Sequence, residues 1–189
     1  MVPGGFGSRG VEGKLNVVRF ARENKIPYFG LCYGMQMMVI EYARNVLGLK
    51  DANTKEVNAK TKYPVIDVME SQKEILEKSS YGGTMRLGAY KANLSSGSIA
   101  LGAYGKKEII ERHRHRYEVN PTYIKELEAK GLVFSGKSPD GTLMEIAELP
   151  KSKHPFFLGT QFHPEFLARP LSPHPLFTAF IKACVGKKK

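Results

Sequence analysis

Residues 26–40 read IPYFGLCYGMQMMVI, and the order of these residues decides the fold class. Ile26 to Leu31 is a short apolar run with a proline near its start, as expected of a buried strand. Cys32 follows at once, and MQMMVIEYARNVLGL then has the apolar pattern of a helix ending near Gly48. A strand, a tight turn and a helix form the repeating unit of an α/β domain. The two glycines at Gly30 and Gly34 stand two positions before and after the cysteine. That is the spacing of a nucleophile elbow, where larger side chains collide. A cysteine there sits at a helix N-terminus, whose partial positive charge favours the reactive thiolate. A buried structural thiol is the competing reading.

Upstream, GGFGSRG is a glycine-rich loop, and Val11, Leu15, Val18 and Ala21 predict a helix over 11–23. No strand is expected ahead of the loop, and its spacing is not the G-x-G-x-x-G of a dinucleotide fold. Downstream, 63–69 reads as a strand. SYGGTMRLGAY (80–90) reads as turns around a short polar strand, and LSSGSIALGAYG (94–105) as a hairpin or lid. Pro121 opens a helix ending near Gly131, with Ile124 and Leu127 facing inward. Strands are expected at 132–136, 142–149 and 156–162, the first two joined through an Asp-Gly turn at 138–142. The tail from Pro175 reads as a helix with Leu176, Phe180 and Cys184 in the core, and Lys187 to Lys189 as a frayed, solvated basic end.

The 189 residues suffice for one globular domain with a real core. There is no stretch of about 18 apolar residues to span a membrane, no signal-peptide pattern at the start, and no repeat. Two cysteines make no disulfide framework, so a reducing, cytoplasmic setting is expected. A net charge of +11 admits nucleic acid, an acidic ligand or an acidic protein surface. The run RHRHRY (112–117) sharpens that choice. His113 and His115 fall on one face of a strand, and Arg112, Arg114 and Arg116 on the other. With no stacking platform or recognition motif, nucleic acid is disfavoured. Among His113, His115, His154, His163 and His174 no metal-ligand spacing occurs, so no metal site is expected.

A thiolate nucleophile needs a base and a group that orients the base. FHPEF (162–166) supplies His163 and Glu165 two apart, hence on one face of extended chain, with Pro164 stiffening the turn between them. Backbone N–H groups of the Gly4-Gly5-Phe6-Gly7 loop and of Tyr33 are the expected oxyanion donors.

Cys32 within GLCYGMQ, His163 and Glu165 within QFHPEF, and the GGFG loop together resemble the class I, triad-type glutamine amidotransferases. PGGFGSRGVEGK (3–14), ANTKE (52–56), GGTMRLG (82–88) and ERHRHRYEVNP (111–121) narrow the resemblance to the glutaminase domain of the CTP synthases, over nearly the whole chain. The resemblance implies a flavodoxin-like α/β domain: a mostly parallel sheet flanked by helices, present here as a partial domain over 1–186 that lacks its first strands. A piece so shortened is expected to be unstable or inactive alone.

The implied chemistry is hydrolysis of L-glutamine to glutamate and ammonia through a thioester. Cys32 is the nucleophile, His163 the proton shuttle and Glu165 its orienting group. Gly5 and Tyr33 form the oxyanion hole. Substrate contacts are implied for Gly5, Phe6, Tyr33, Gly34, Met35, Gln36, Glu56, Arg116 and Tyr117. Arg116 suits the substrate α-carboxylate and Glu56 its α-ammonium. Tyr33 replaces the family's usual leucine, which puts the shape of the pocket wall in doubt. In the complete, homotetrameric ligase the ammonia goes to a synthetase domain of the same polypeptide. That domain uses ATP, Mg²⁺ and UTP, and GTP activates the glutaminase. The synthetase domain is not in this sequence, and Arg9, Glu12 and 82–88 are the residues expected to face it or GTP. A triad-bearing relative with a different acyl transfer or peptide hydrolysis is the alternative, disfavoured because Gln36, Glu56 and Arg116 suit a free amino acid.

Overall fold

The computed structural model describes residues 1–68 and 85–186. Met69, the turn residues 80–84 and the tail 187–189 lie outside the described residues. Nine strands are described: β1 Tyr28–Leu31, β2 Ala52–Thr54, β3 Tyr63–Val68, β4 Arg86–Leu94, β5 Glu108–His115, β6 Tyr117–Val119, β7 Val133–Lys137, β8 Met144–Glu148 and β9 Phe157–Thr160. The helices are α1 Val11–Glu23, α2 Tyr33–Asn45, α3 Ile99–Tyr104, α4 Pro121–Ala129 and α5 Pro175–Val185.

Six strands form one sheet in the order β1-β9-β8-β7-β4-β5, and β2-β3-β6 form a second. The α/β class stands. Parallel pairing is concentrated where the site lies: β1 runs parallel to β9, and β2 to β3. From β9 outward to β5 every described pair is antiparallel. On the other side of β1, Val2 occupies a strand position ahead of the glycine loop. Its N–H donates to Phe29 O at 2.9 Å, and its carbonyl accepts from Leu31 N–H at 2.9 Å.

Alternation along the strands splits the core into two layers. Tyr28 and Phe157 pack with α1, α2 and Leu127 on one face, while Phe29, Leu31 and Leu158 pack with Leu176 and Phe180 of α5 on the other. α1 spans the predicted 11–23 and buries Val11, Leu15, Val18 and Ala21. Pro121 does open a helix, capped by the Asn120 side chain, and Leu127 is its fully buried residue.

Three expectations are corrected. Residues 99–104 form a helix rather than a hairpin: Ser98 Oγ accepts from Leu101 N–H, and the Glu148 carboxylate accepts from Ile99 N–H at 2.7 Å and Ala100 N–H at 3.2 Å. The strand begun by Arg86 is nine residues long, because β5 supplies a full antiparallel partner. Cys184 is exposed, not core. The last turn of α5 runs past its packing partners, and Val185 is exposed beside it.

Candidate active site

β1 delivers Cys32 into a backbone conformation that L-residues avoid, φ 47° and ψ −97°. The Cys32 N–H is pinned to Thr160 O at the end of β9. The flanking glycines are sterically required. A Cβ on Gly30 would lie 2.6 Å from the Gly34 carbonyl carbon, and one on Gly34 would lie 2.3 Å from Val2 O. Gly34→Ala is therefore expected to cost about 1–3 kcal/mol of stability, read as a lowered midpoint in urea. An unchanged midpoint would mean that Val2 is not seated against α2.

His163 is set by the other side of the same β1·β9 junction. Its N–H donates to Arg112 O on β5, and Pro164 starts a single 3₁₀ turn through Phe166. Glu165 Oε1 lies 2.7 Å from His163 Nδ1, and Phe166 stacks on the imidazole with centroids 4.6 Å apart and planes 7° from parallel. With Nδ1–H donating to the carboxylate, Nε2 is left as the acceptor, and it is buried with no hydrogen-bond partner. A Cβ on Gly4 would meet His163 Cε1 at 2.9 Å and Cys32 Cβ at 3.9 Å, so nucleophile and base flank one glycine.

Cys32, His163 and Glu165 open into a cavity of about 580 Å³ that Gly5, Phe6 and Gln36 also line. Glu56, Arg116 and Tyr117 line it as well. Glu56 Oε1 accepts from Gly7 N–H at 2.7 Å, which ties the glycine loop to the ANTKE segment. Burial raises the Glu56 pKa, with the Gly7 N–H and Arg116 opposing. Gln36 Nε2 donates to Tyr117 O at 3.1 Å, leaving Oε1 buried and unpartnered.

Tyr33 points elsewhere. Its ring is buried under the glycine loop, its hydroxyl donates to Gly7 O, and Lys14 Nζ lies 5.5 Å from the ring centre. The tyrosine thus fastens the loop to α2. Gly34 and Met35 are buried against Val2 and Gly159. Of the expected substrate contacts, Tyr33, Gly34 and Met35 have side-chain positions inside the fold, and the rest meet at the cavity.

One electrostatic expectation reverses. Burial, with the nearby Glu118 charge adding to it, pushes the Cys32 thiol up to about 12; the Tyr33 N–H and the Gln161 side chain, both donating to sulfur, only partly oppose this. Desolvation outweighs these two donors, which points to a resting thiol that needs a base.

The RHRHRY run alternates as expected over residues 112–115. Arg112 and Arg114 are exposed on β5, and His113 and His115 are buried. β5 ends at His115 and β6 of the second sheet starts at Tyr117, so Arg116 sits at the break and turns to the cavity.

Sequence reasoning missed the cluster behind this segment. Arg86 Nη1 lies 2.7 Å from Glu145 Oε1 and 3.6 Å from Glu118 Oε1. His113 Nδ1 and His115 Nε2 are 2.9 Å apart, within hydrogen-bond distance. Burial and then Arg86 hold His113 down to about 2 and His115 to about 3. No group of described residues could hold a metal ion. Met85 lines the cavity and Leu87 faces outward, while Arg9 and Glu12 are exposed, Glu12 being held by Arg44 at 3.0 Å.

An elbow cysteine and a His-Glu pair flank one glycine of the loop, and the chain is similar to known glutamine amidotransferases. The family described as "Glutamine amidotransferase class-I" matches residues 1–183. The CTP synthase of Methanocaldococcus jannaschii is 58% identical over 188 residues, covering 100% of this chain and 34% of that protein. The CTP synthase of Clostridium acetobutylicum is 57% identical, with 100% and 35% covered. The structure described as "Trypanosoma brucei CTPS - glutaminase domain with bound acivicin" superposes with a TM-score of 0.90 at 40% identity, covering 100% of this chain and 71% of that one. The chain belongs to the class I glutamine amidotransferase family, in its CTP synthase glutaminase branch, and spans about a third of the length of the CTP synthases it matches. Among the described residues no helix is long and apolar enough to cross a membrane.

Proposed function

We propose that the chain is the glutaminase portion of a CTP synthase and hydrolyses L-glutamine as part of that complete enzyme. The observation that carries this reading is one cavity lined both by a Cys-His-Glu set and by a carboxylate, Glu56, and a guanidinium, Arg116. A free amino acid presents the complementary ammonium and carboxylate, and its side-chain amide then reaches the thiol.

Cys32 gives its proton to His163 Nε2, and sulfur attacks the amide carbon. The carbonyl oxygen gathers negative charge against the N–H groups of Tyr33 and Gly5. The C–N bond breaks as His163 passes the proton to nitrogen, releasing ammonia and a thioester. Water, deprotonated by the same imidazole, attacks that thioester. The C–S bond breaks with its electron pair returning to sulfur, glutamate leaves, and the proton goes back to Cys32. Glu165 keeps Nδ1–H engaged throughout, so Nε2 alone moves the proton.

Ammonia so released suits amination of UTP in the remainder of a complete enzyme. ATP with Mg²⁺, UTP, the activator GTP and the tetrameric assembly belong to that complete protein, and no residue here is assigned to them.

The test is covalent labelling by a diazoketone analogue of L-glutamine, with the site read by peptide mass. Cys32 is expected to be the labelled residue, and L-glutamine is expected to protect it while L-asparagine does not. In Arg116→Ala the glutamine concentration giving half-protection is expected to rise about 10–100-fold, the worth of one charge-assisted pair. Labelling without protection by glutamine would remove the substrate assignment. In the complete enzyme the same variant should lose glutamine-dependent synthesis while free ammonia still supports it.

A further inference from the structure

Gln161 lies between the end of β9 and His163, fully buried. Its backbone is fixed by a bond from its N–H to Glu145 O at 2.8 Å, next to the Thr160 carbonyl that pins Cys32. Its side-chain Nε2 lies 3.6 Å from Cys32 Sγ, within reach of an N–H to sulfur bond, and Oε1 is buried with no partner. A carboxamide buried with half its capacity unused is costly, and methionine would fill the space without that cost. The one polar contact the side chain makes among the described residues is to the nucleophile.

We propose that Gln161 is a further catalytic residue of the proposed glutaminase, the hydrogen-bond donor that stays on the sulfur while charge resides there. In the resting site the sulfur faces two donors, the Tyr33 N–H and the Gln161 amide. Once a substrate carbonyl enters, the Tyr33 N–H is drawn to the developing oxyanion, and the sulfur keeps only Gln161. The demand recurs when the C–S bond of the thioester breaks and its electron pair returns to sulfur. At both moments the proton is on His163, so the sulfur needs a neutral donor that does not compete for it. The Gln161 amide meets that need, because it cannot protonate the thiolate. The carboxamide also offsets the burial that opposes ionisation of this thiol.

This inference rests on the glutaminase reading for its place in the cycle, but the sulfur contact can be tested without substrate. Alkylation of Cys32 by iodoacetamide, which needs no glutamine recognition, is followed from pH 6 to 10 in the intact protein and in Gln161→Met. The expected result is an about tenfold slower reaction at pH 8 and a rate-versus-pH curve displaced about one unit toward alkali. A residue that only packs would leave the curve where it was. Gln161→Glu, isosteric with the native side chain, keeps the measurement available if methionine is not accommodated. Its carboxylate should slow alkylation further at pH 8 by repelling the thiolate. Native rates and an undisplaced curve in either folded variant would overturn the proposal. Failure of glutamine to protect Cys32 in the unsubstituted protein would overturn the glutaminase reading and leave the Gln161 contact standing.

Discussion

Replacing His163 with alanine is expected to slow glutamine hydrolysis by on the order of 10³–10⁴-fold, and to change how the rate depends on pH. Burial and the Glu118 charge hold the Cys32 thiol up to about 12. At pH 8 only about one molecule in 10⁴ would carry a thiolate unaided. In the proposed mechanism the native site avoids that penalty: Nε2 of His163, left without a partner by the Nδ1–Glu165 contact, takes the proton as sulfur attacks. Without the imidazole the thiol must ionise alone. The residual rate should then climb about tenfold per pH unit between pH 7 and 9, whereas the native rate flattens once the base is free. Iodoacetamide labelling of Cys32 at pH 9 shows whether the variant retains its site. A variant with the native pH profile would mean that another group deprotonates Cys32.

What the sequence made legible was what short-range sterics and periodicity control. Gly30 marks the elbow because a Cβ there meets the Gly34 backbone one turn on, while the clash at Gly34 comes from the distant Val2. His163 and Glu165 do meet, but through the 3₁₀ turn Pro164–Phe166 rather than through the extended chain that their spacing suggests. The failures have one physical origin, partners distant along the chain. The helix Ile99–Tyr104 looks like a glycine-rich hairpin until the Glu148 carboxylate is seen at its N-terminus. The Cys32 thiol looks activated by its helix until the layers that bury it are assembled around it. Arg116 is expected at the substrate by resemblance, but the end of β5 that puts it at the cavity is not visible in the run itself. The strand stops one residue earlier, and the arginine swings to the cavity. Tyr33 could not be read as a loop anchor, since its hydroxyl acceptor, Gly7 O, is set by the fold.

The same blindness to distant partners hid Arg86, Glu118 and Glu145, charged residues that composition assigns to the surface and the fold buries. Arg86→Met is expected to cost about 3–5 kcal/mol at pH 8, because it leaves two buried carboxylates without their cation. The loss should shrink on acidification. Glu145 is already raised to about 7 by burial despite Arg86, and Glu118 lies well above the usual carboxylate range. Removing the guanidinium raises both further. Between the unfolded carboxylate value near 4.5 and the raised folded value, the folded state then binds more protons than the unfolded one. Stability of the variant therefore falls as pH rises through that window, and is largely recovered near pH 5. His113 and His115 act in the same direction. Arg86 helps hold them neutral, so in its absence they take up protons more readily and supply positive charge beside Glu145 and Glu118. Arg86→Met with Glu145→Met should restore most of the stability at pH 8, since the closest pair is then removed as a unit. Urea unfolding of the single and double variants at pH 5.5 and 8 decides the matter. A single variant whose loss is the same at both pH values, or a double variant no better than the single, would mean that Arg86 stabilises the fold by packing rather than by compensating buried charge.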